Sequence, residues 1–225
     1  LQEEIKAHPY PLLRRAVQAK THDTAHSDRS MNADEVLRRA YLRAREDFIP
    51  VCGDGCARLL RELCGKVKPS RILEIGTAVG YSSSVMALAC EAEVDTIEYD
   101  GDRLDRAKQL WKELGISGRM HAYRGDVKEI LPQVIRGKSY GLVFIDGPKS
   151  AYKDIFDTVR QNMDENGLIV SDDINYLGLV KGGGYPPHKH RTIVTNMRKY
   201  LEYISAAPFY TEIFWESGIA VTRME

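Results

Sequence analysis

Residues 71–83, RILEIGTAVGYSS, constrain the fold most, because a buried strand there runs into an acidic residue, a glycine turn and at once a helix. Ile72, Leu73 and Ile75 make a short apolar run suited to a central parallel strand. Gly76 and Gly80 let the backbone turn tightly and come close to a ligand. Glu74 stands at the carboxyl end of that strand, where open α/β sheets bind their ligands. A carboxylate there suits an amine or a hydroxyl and repels a phosphate, so the turn is no phosphate cradle. Nor is it a dinucleotide fingerprint, since Gly76 is followed by Thr77, Ala78 and Val79 before the next glycine.

Downstream, apolar runs bounded by turn residues alternate with helix-length amphipathic stretches, the βαβ pattern of a doubly wound parallel sheet. The pattern predicts strands at 71–75, 94–98, 120–124, 141–146 and 167–172, and helices at 81–90, 101–114, 127–136 and 151–163. A further helix is expected near 190–205. After it, FYTEIFW and GIAVTR, separated by Glu216 and Ser217, read as an antiparallel hairpin. Residues 1–50 look helical and amphipathic without a core of their own, an N-terminal extension to a single domain at 51–225. The extension is expected to pack on that domain, on a partner subunit or over the active site.

The chain has 225 residues, enough to bury a core, and its 32 basic and 32 acidic residues balance, so no global field draws in nucleic acid. Cys52, Cys56, Cys64 and Cys90 show no paired metal-ligand spacing and are expected to be buried thiols in a reducing compartment. The first thirty residues carry Lys6, Arg14, Arg15, Lys20 and Arg29 with no sustained apolar run, so neither signal peptide nor membrane span is expected, and the expected location is cytoplasmic.

Acidic residues close the other strands as well. Glu98 lies at the distance from the glycine turn at which such folds place an acid on ribose hydroxyls. Asp126 and Val127 follow the third strand in a turn that can meet an adenine ring, with helix capping the other role for Asp126. VFID ends in Asp146 and LIVSDD in Asp172 and Asp173. If those strands are neighbours the carboxylates converge, and because like charges repel unless a cation intervenes, a hard divalent ion with oxygen ligands is the economical expectation.

Taken together, EIGTAVGYSS, DTIEYD, FIDGPKSAY, VSDDINYLGLV and HRTIVTNMRKYLEYI resemble the class I metal-dependent O-methyltransferases of the catechol and caffeoyl-coenzyme A type. Within that family the chain is most similar to the bacterial tRNA 5-hydroxyuridine methyltransferases. The resemblance spans most of residues 40–225. It implies a Rossmann-like methyltransferase fold with seven strands and an antiparallel C-terminal hairpin. It also implies S-adenosylmethionine as methyl donor, Mg2+ (or Mn2+ or Ca2+) at Asp146, Asp172 and Asp173, and a homodimer. Lys149, three residues after Asp146, falls where catechol enzymes place their catalytic lysine, as base or as electrostatic stabiliser. Tyr81 and Ser82 fall where the methionine part of the donor is expected, with packing an alternative for Tyr81.

Two departures stand out. Asp172 is followed by Asp173 where the family commonly has Asn, and Gly147 and Pro148 replace bulky residues after the metal aspartate, opening the pocket rim. The substrate should present vicinal oxygens, which both catechols and 5-hydroxyuridine offer. Lys181, Lys189, Arg191, Arg198 and Lys199 lie in an acid-free stretch from Lys181 to Tyr200, with Tyr185 available for base stacking. That pattern favours tRNA, through Tyr185, Arg191 and Arg198, over a small phenol, with a non-catalytic Rossmann-like binding protein as the alternative from another class. Arg38, Arg39, Arg43 and Arg45 either extend a basic footprint or pair with Glu35, Glu46 and Asp47.

Overall fold

The computed structural model describes residues 28–182 and 184–224, so the extension before residue 28 and Gly183 of the glycine-rich loop lie outside the described residues. Helix α1 (Asp28–Glu46) leads through a short strap into α2 (Asp54–Val67). There follow β1 (Arg71–Ile75), α3 (Tyr81–Ala89), β2 (Glu93–Glu98), α4 (Gly101–Glu113) and β3 (Met120–Arg124). Then come α5 (Val127–Val134), β4 (Tyr140–Ile145), α6 (Tyr152–Val159) and β5 (Met163–Ser171). Helix α7 (Arg191–Ile204) and the strands β6 (Phe209–Phe214) and β7 (Ile219–Met224) complete the described chain.

The strands form one seven-stranded sheet in the order β3-β2-β1-β4-β5-β7-β6. β1 to β5 are parallel, while β7 pairs antiparallel with both β5 and β6. All six residues of β4 are buried, the continuous apolar run of a strand covered on both faces. One face packs under α5, α6 and α7 through Leu131, Phe156 and Tyr200; the other packs under α2, α3 and α4 through Leu60, Met86 and Trp111. The chain winds outward in both directions from β1 and β4, so their carboxyl ends bound the crevice in which open sheets bind ligands.

The expected strands all form, with shifted ends. β4 and β5 stop at Ile145 and Ser171, one residue early, because Asp146 and Asp172 already turn into the loops, their N–H groups donating to Ile75 O (2.9 Å) and Ile145 O (3.0 Å). The helix expected at 151–163 contracts to α6 between two short 3-10 turns at 149–151 and 160–162. Asn162 enforces the second break, since its side-chain amide donates to the carbonyls of Ile135 (3.0 Å) and Lys138 (2.8 Å).

Helix α1 packs on α3 and α4 of the same domain and buries Val36, Leu37 and Ala44. Three of its arginines take carboxylate or ring partners: Arg38 pairs with Glu35 at 3.1 Å, Arg39 with Glu113, and Arg45 lies over the ring of Tyr41. Asp47, just past the helix, accepts from Arg106 of α4 at 2.8 Å. Among the described residues no helix is long and apolar enough to cross a membrane.

Candidate functional site

A cavity of about 870 Å³ opens at the carboxyl ends of the parallel strands. Its floor comes from Ile75, Gly76 and Ala78 after β1, Glu98 and Tyr99 after β2, Gly125 to Val127 after β3, and Asp146 to Lys149 after β4. Asp172 and Asp173 after β5 close one side with Ser217 and Gly218 of the β6–β7 turn, and the strap Pro50–Gly53 closes another.

At one end lie a glycine turn and two acids. Gly76 has φ +99°, and a Cβ there would stand 2.3 Å from the carbonyl oxygen of Asp146, so only glycine lets β1 turn this close to the end of β4. Glu98 holds the turn in shape, its Oε2 accepting from Ala78 N (2.8 Å) and its Oε1 from Asp100 N (2.9 Å), while its side chain still faces the cavity. Asp126 caps α5 by accepting from Lys128 N at 2.9 Å and also lines the cavity with Val127. Its two expected roles are therefore compatible.

Three of the expected contact residues, Glu74, Tyr81 and Ser82, stand behind the wall rather than on it. Glu74 is fully buried and accepts from Ser82 Oγ (2.5 Å) and Thr96 Oγ1 (2.6 Å). Burial pushes its carboxyl up to about 7, against the lowering effect of those hydroxyls. Tyr81 packs its ring on Tyr41 of α1, with centroids 5.4 Å apart. Glu74 and Ser82 thus tie α3 to the sheet beneath the turn, a supporting position in place of the direct contact expected.

At the other end, β4 and β5 are neighbours in register, Ile145 opposite Ser171, so Asp146 and Asp172 emerge side by side as expected. A closed trio does not form: among the described residues no three Asp, Glu, His or Cys side chains stand close enough to hold a metal ion. Asp173 sits at φ +49°, which swings it out of line with Asp172, and its own N–H donates to Asp172 Oδ1 at 2.8 Å. The cation among the carboxylates is the ammonium of Lys149, 3.1 Å from Asp146 Oδ1 and 3.6 Å from Asp173 Oδ2. It also donates to Tyr152 Oη at 2.7 Å, and Tyr152, fully buried, donates to the carbonyl of Asp172 (2.9 Å) or of Ile145 (3.1 Å). Tyr152 therefore joins the ends of both strands to the lysine.

One ammonium does not offset this much negative charge. Burial pushes Asp146 up despite Lys149, and burial with repulsion from Asp146 pushes Asp172 up to about 6. Hard oxygen donors short of positive charge suit a divalent cation in their chemistry, whereas their spacing here serves the lysine.

The residues expected to hold substrate lie on the loop after Asp173 and on α7. Arg198 is taken up by that loop: its guanidinium donates to Leu179 O (2.9 Å), Val180 O (3.2 Å) and Gly184 O (3.0 Å). It is committed to holding the loop rather than to a phosphate. The Arg191 guanidinium lies 4.4 Å over the ring of Tyr185, which is 81% exposed. None of these residues lines the cavity.

The sequence reading did not single out Tyr152, Tyr99 as a wall residue, or the strap Pro50–Gly53. Tyr99 carries a local signal, its place directly after Glu98. The strap carries none, because only the packing of α1 and α2 brings it over the sheet.

Residues 73–174 match the methyltransferase-domain family. A catechol O-methyltransferase of Niastella koreensis is 30% identical over 121 residues, 52% of this chain and 53% of that protein. The chain spans about half the length of the first curated relatives it matches. Among solved structures, a putative caffeoyl-CoA O-methyltransferase from Staphylococcus aureus superposes with a TM-score of 0.76 at 26% identity, covering 89% of this chain and 93% of that one. The O-methyltransferase TomG from Streptomyces achromogenes, in complex with SAM, gives 0.72 at 24% identity, covering 85% and 90%. The described chain therefore carries the Rossmann-like fold of the S-adenosylmethionine-dependent methyltransferases, and part of it is similar in sequence to O-methyltransferases of the catechol and caffeoyl-CoA type.

Proposed function

We propose that the protein is an S-adenosylmethionine-dependent O-methyltransferase acting on a small phenol with vicinal oxygens, of the catechol type. The observation that carries the proposal is one cavity with a glycine turn, Glu98 and Asp126 at one end and Asp146, Lys149, Asp172 and Asp173 at the other. The first set suits a nucleoside, the second an acidic hydroxyl.

S-adenosylmethionine, when bound, supplies an electrophilic methyl group, and a divalent cation taken up by the side-by-side carboxylates of Asp146 and Asp172 would make a nearby hydroxyl more acidic. Glu98 offers its remaining lone pairs to the ribose hydroxyls, and Asp126 with Val127 borders the adenine. Tyr99 lines the cavity beside Glu98. Lys149, held between Asp146 and Asp173, stands where its ammonium can stabilise the oxyanion left when the acceptor hydroxyl loses its proton. The strap and the β6–β7 turn border the space left for the reacting oxygen.

The test is methyl transfer from labelled S-adenosylmethionine to a panel of catechols, with bulk tRNA in parallel. The proposal expects labelled catechol ethers, and no labelled product from any phenol overturns the phenol assignment. Replacing Glu98 by Gln removes charge from the ribose contact and leaves an acceptor for only one of the two turn N–H groups. Calorimetry should show S-adenosylmethionine binding weakened by about 1–2 kcal/mol. For the metal, a chelator should abolish turnover and Mg2+ or Mn2+ should restore it, while full activity in chelator removes the cation from the proposal. The expectation of a homodimer is checked by light scattering on the same samples.

One observation favours a second reading, tRNA carrying 5-hydroxyuridine. Tyr185 presents an exposed ring backed by Arg191, with Lys181, Lys189 and Lys199 exposed on the same loop and helix. Methylation of tRNA with affinity falling steeply between about 50 and 200 mM salt would select it. It ranks second because Arg198 is already engaged by loop carbonyls.

A further inference from the structure

Tyr152 is not part of the cavity wall, yet its hydroxyl fixes the ammonium that stands among the cavity's aspartates. It is the first residue of α6 and follows Lys149 by three positions, across the short 3-10 turn at 149–151. About three residues make one turn of such a helix, so the two side chains lie one above the other. The Lys149 ammonium accordingly stands 2.7 Å from Tyr152 Oη and 4.9 Å from the centre of its ring.

The ring is not free to follow a movement of the lysine. Tyr152 is buried and meets Tyr200 edge to face, with centroids 5.6 Å apart, and Tyr200 is itself tied to Ser171 of β5 by a 2.7 Å hydrogen bond between their hydroxyls. The Tyr152 hydroxyl is fixed as well. Its single proton goes to Asp172 O (2.9 Å) or to Ile145 O (3.1 Å), which leaves an oxygen lone pair for the ammonium to donate into. Those carbonyls belong to the last residue of β4 and to the residue that follows β5, so the lysine is referenced to the backbone of both strands. Its other partners differ in kind. Asp146 and Asp173 line the cavity, and any cation or hydroxyl that enters competes for them. Tyr152, behind the wall, stays with the lysine when those carboxylates turn to a ligand.

We propose that Tyr152 is a positioning residue for methyl transfer: its hydroxyl holds the Lys149 ammonium in a fixed place beside the ends of β4 and β5, and it acts on the rate only through that lysine. The assignment rests on the methyltransferase reading above. Misplacing a charge-stabilising group by about 1 Å can slow a reaction about 100-fold, and the loss falls on the step in which negative charge develops rather than on the binding of the reactants.

The test is a double-mutant cycle on the whole chain, read with labelled S-adenosylmethionine and a catechol. Tyr152→Phe keeps the ring and removes only the hydroxyl. Its kcat should fall about ten-fold or more, with KM for the catechol and affinity for the cofactor near their wild-type values. Lys149→Ala should lower kcat at least as far, and Tyr152→Phe added to it should cost nothing further. Losses that multiply in the double variant overturn the proposal, as does a Tyr152→Phe protein with a lowered Tm and an unchanged kcat. A readout without turnover separates this result from failure of the phenol reading. Acetic anhydride labelling followed by peptide mapping should modify Lys149 several-fold faster in Tyr152→Phe than in the wild type, with the exposed Lys153 labelled equally in both. If no phenol is methylated while Lys149 labelling rises, the substrate assignment fails and the hold of Tyr152 on the lysine stands. Equal labelling of Lys149 in the two proteins overturns that hold. Should Tyr152→Phe not fold, the wild type decides: selective lysine and tyrosine labelling should give nuclear Overhauser contacts between the Lys149 ε-methylene and the Tyr152 ring, and their absence overturns the proposal.

Discussion

At Gly76 a methyl group would meet the carbonyl of Asp146, so Gly76→Ala forces apart the glycine turn and the aspartate loop across the cavity floor. A left-handed φ adds its own strain, and together these should lower stability by about 2 kcal/mol or more, read as a fall in Tm with S-adenosylmethionine binding weakened in step. Glu74, two residues earlier, makes a pH-dependent contribution of definite sign. Its carboxyl ionises near 4.5 when free of the fold and about 7 within it, so the folded state holds the proton more tightly. That stabilisation is complete below pH 4.5 and is lost as pH rises through 7, up to about 3 kcal/mol in all. Glu74→Gln, which stays neutral, should flatten this part of the profile in denaturant titrations between about pH 5 and 8. A strand-end acid at 74 is legible in the sequence, because period and turn residues place it. Its partners are not, because Ser82 reaches it only once α3 has folded back on β1 and Thr96 only once β2 has paired with β1.

Among the elements, β2 shows how a strand can be pinned from its middle. Asp95 is fully buried and accepts from Arg71 of β1 (3.0 Å), Lys138 before β4 (2.9 Å), Tyr123 of β3 (3.1 Å) and Tyr140 of β4 (3.0 Å). Burial alone would push its carboxyl up, yet hydrogen bonds from Lys138 and Arg71 outweigh it and hold the carboxyl below its ordinary range. The sign is opposite to that of Glu74: this stabilisation is present above the ordinary carboxylate pKa and lost as pH falls through the lowered one. Asp95→Asn leaves two cations and a buried tyrosine short of their acceptor, and should cost about 2–4 kcal/mol in chemical denaturation while sparing the cavity walls. The strand itself is plain in the sequence, since VDTIE sits between turn signals. The anionic pin is not, because its four partners come from three other strands and a loop. The same limit explains the helix expected at 151–163: its apolar spacing runs on, but Asn162 is drawn to the carbonyls of Ile135 and Lys138, and that tertiary bond ends it early.

At the scale of the whole molecule, strand-end acids and a glycine turn announce where the crevice lies, and the reversal of winding between β1 and β4 puts it there. The closing pair of antiparallel strands is equally readable, from two β-rich runs split by a short polar turn. What lies over the crevice is not readable, since α1 and its strap carry only the amphipathic pattern of any packed helix. That strap decides how molecules come and go. Pro50–Gly53 forms cavity wall, and two residues upstream Phe48 stands 93% exposed at φ +55°, outside both helices. A cofactor that touches the wall must hold the strap down in order to stay, so residence time and strap closure are two faces of one equilibrium. Chymotrypsin should nick the native chain after Phe48, and saturating S-adenosylmethionine should slow that nick several-fold. A strap that is cut equally fast with and without the cofactor would mean that the door lies elsewhere on the rim.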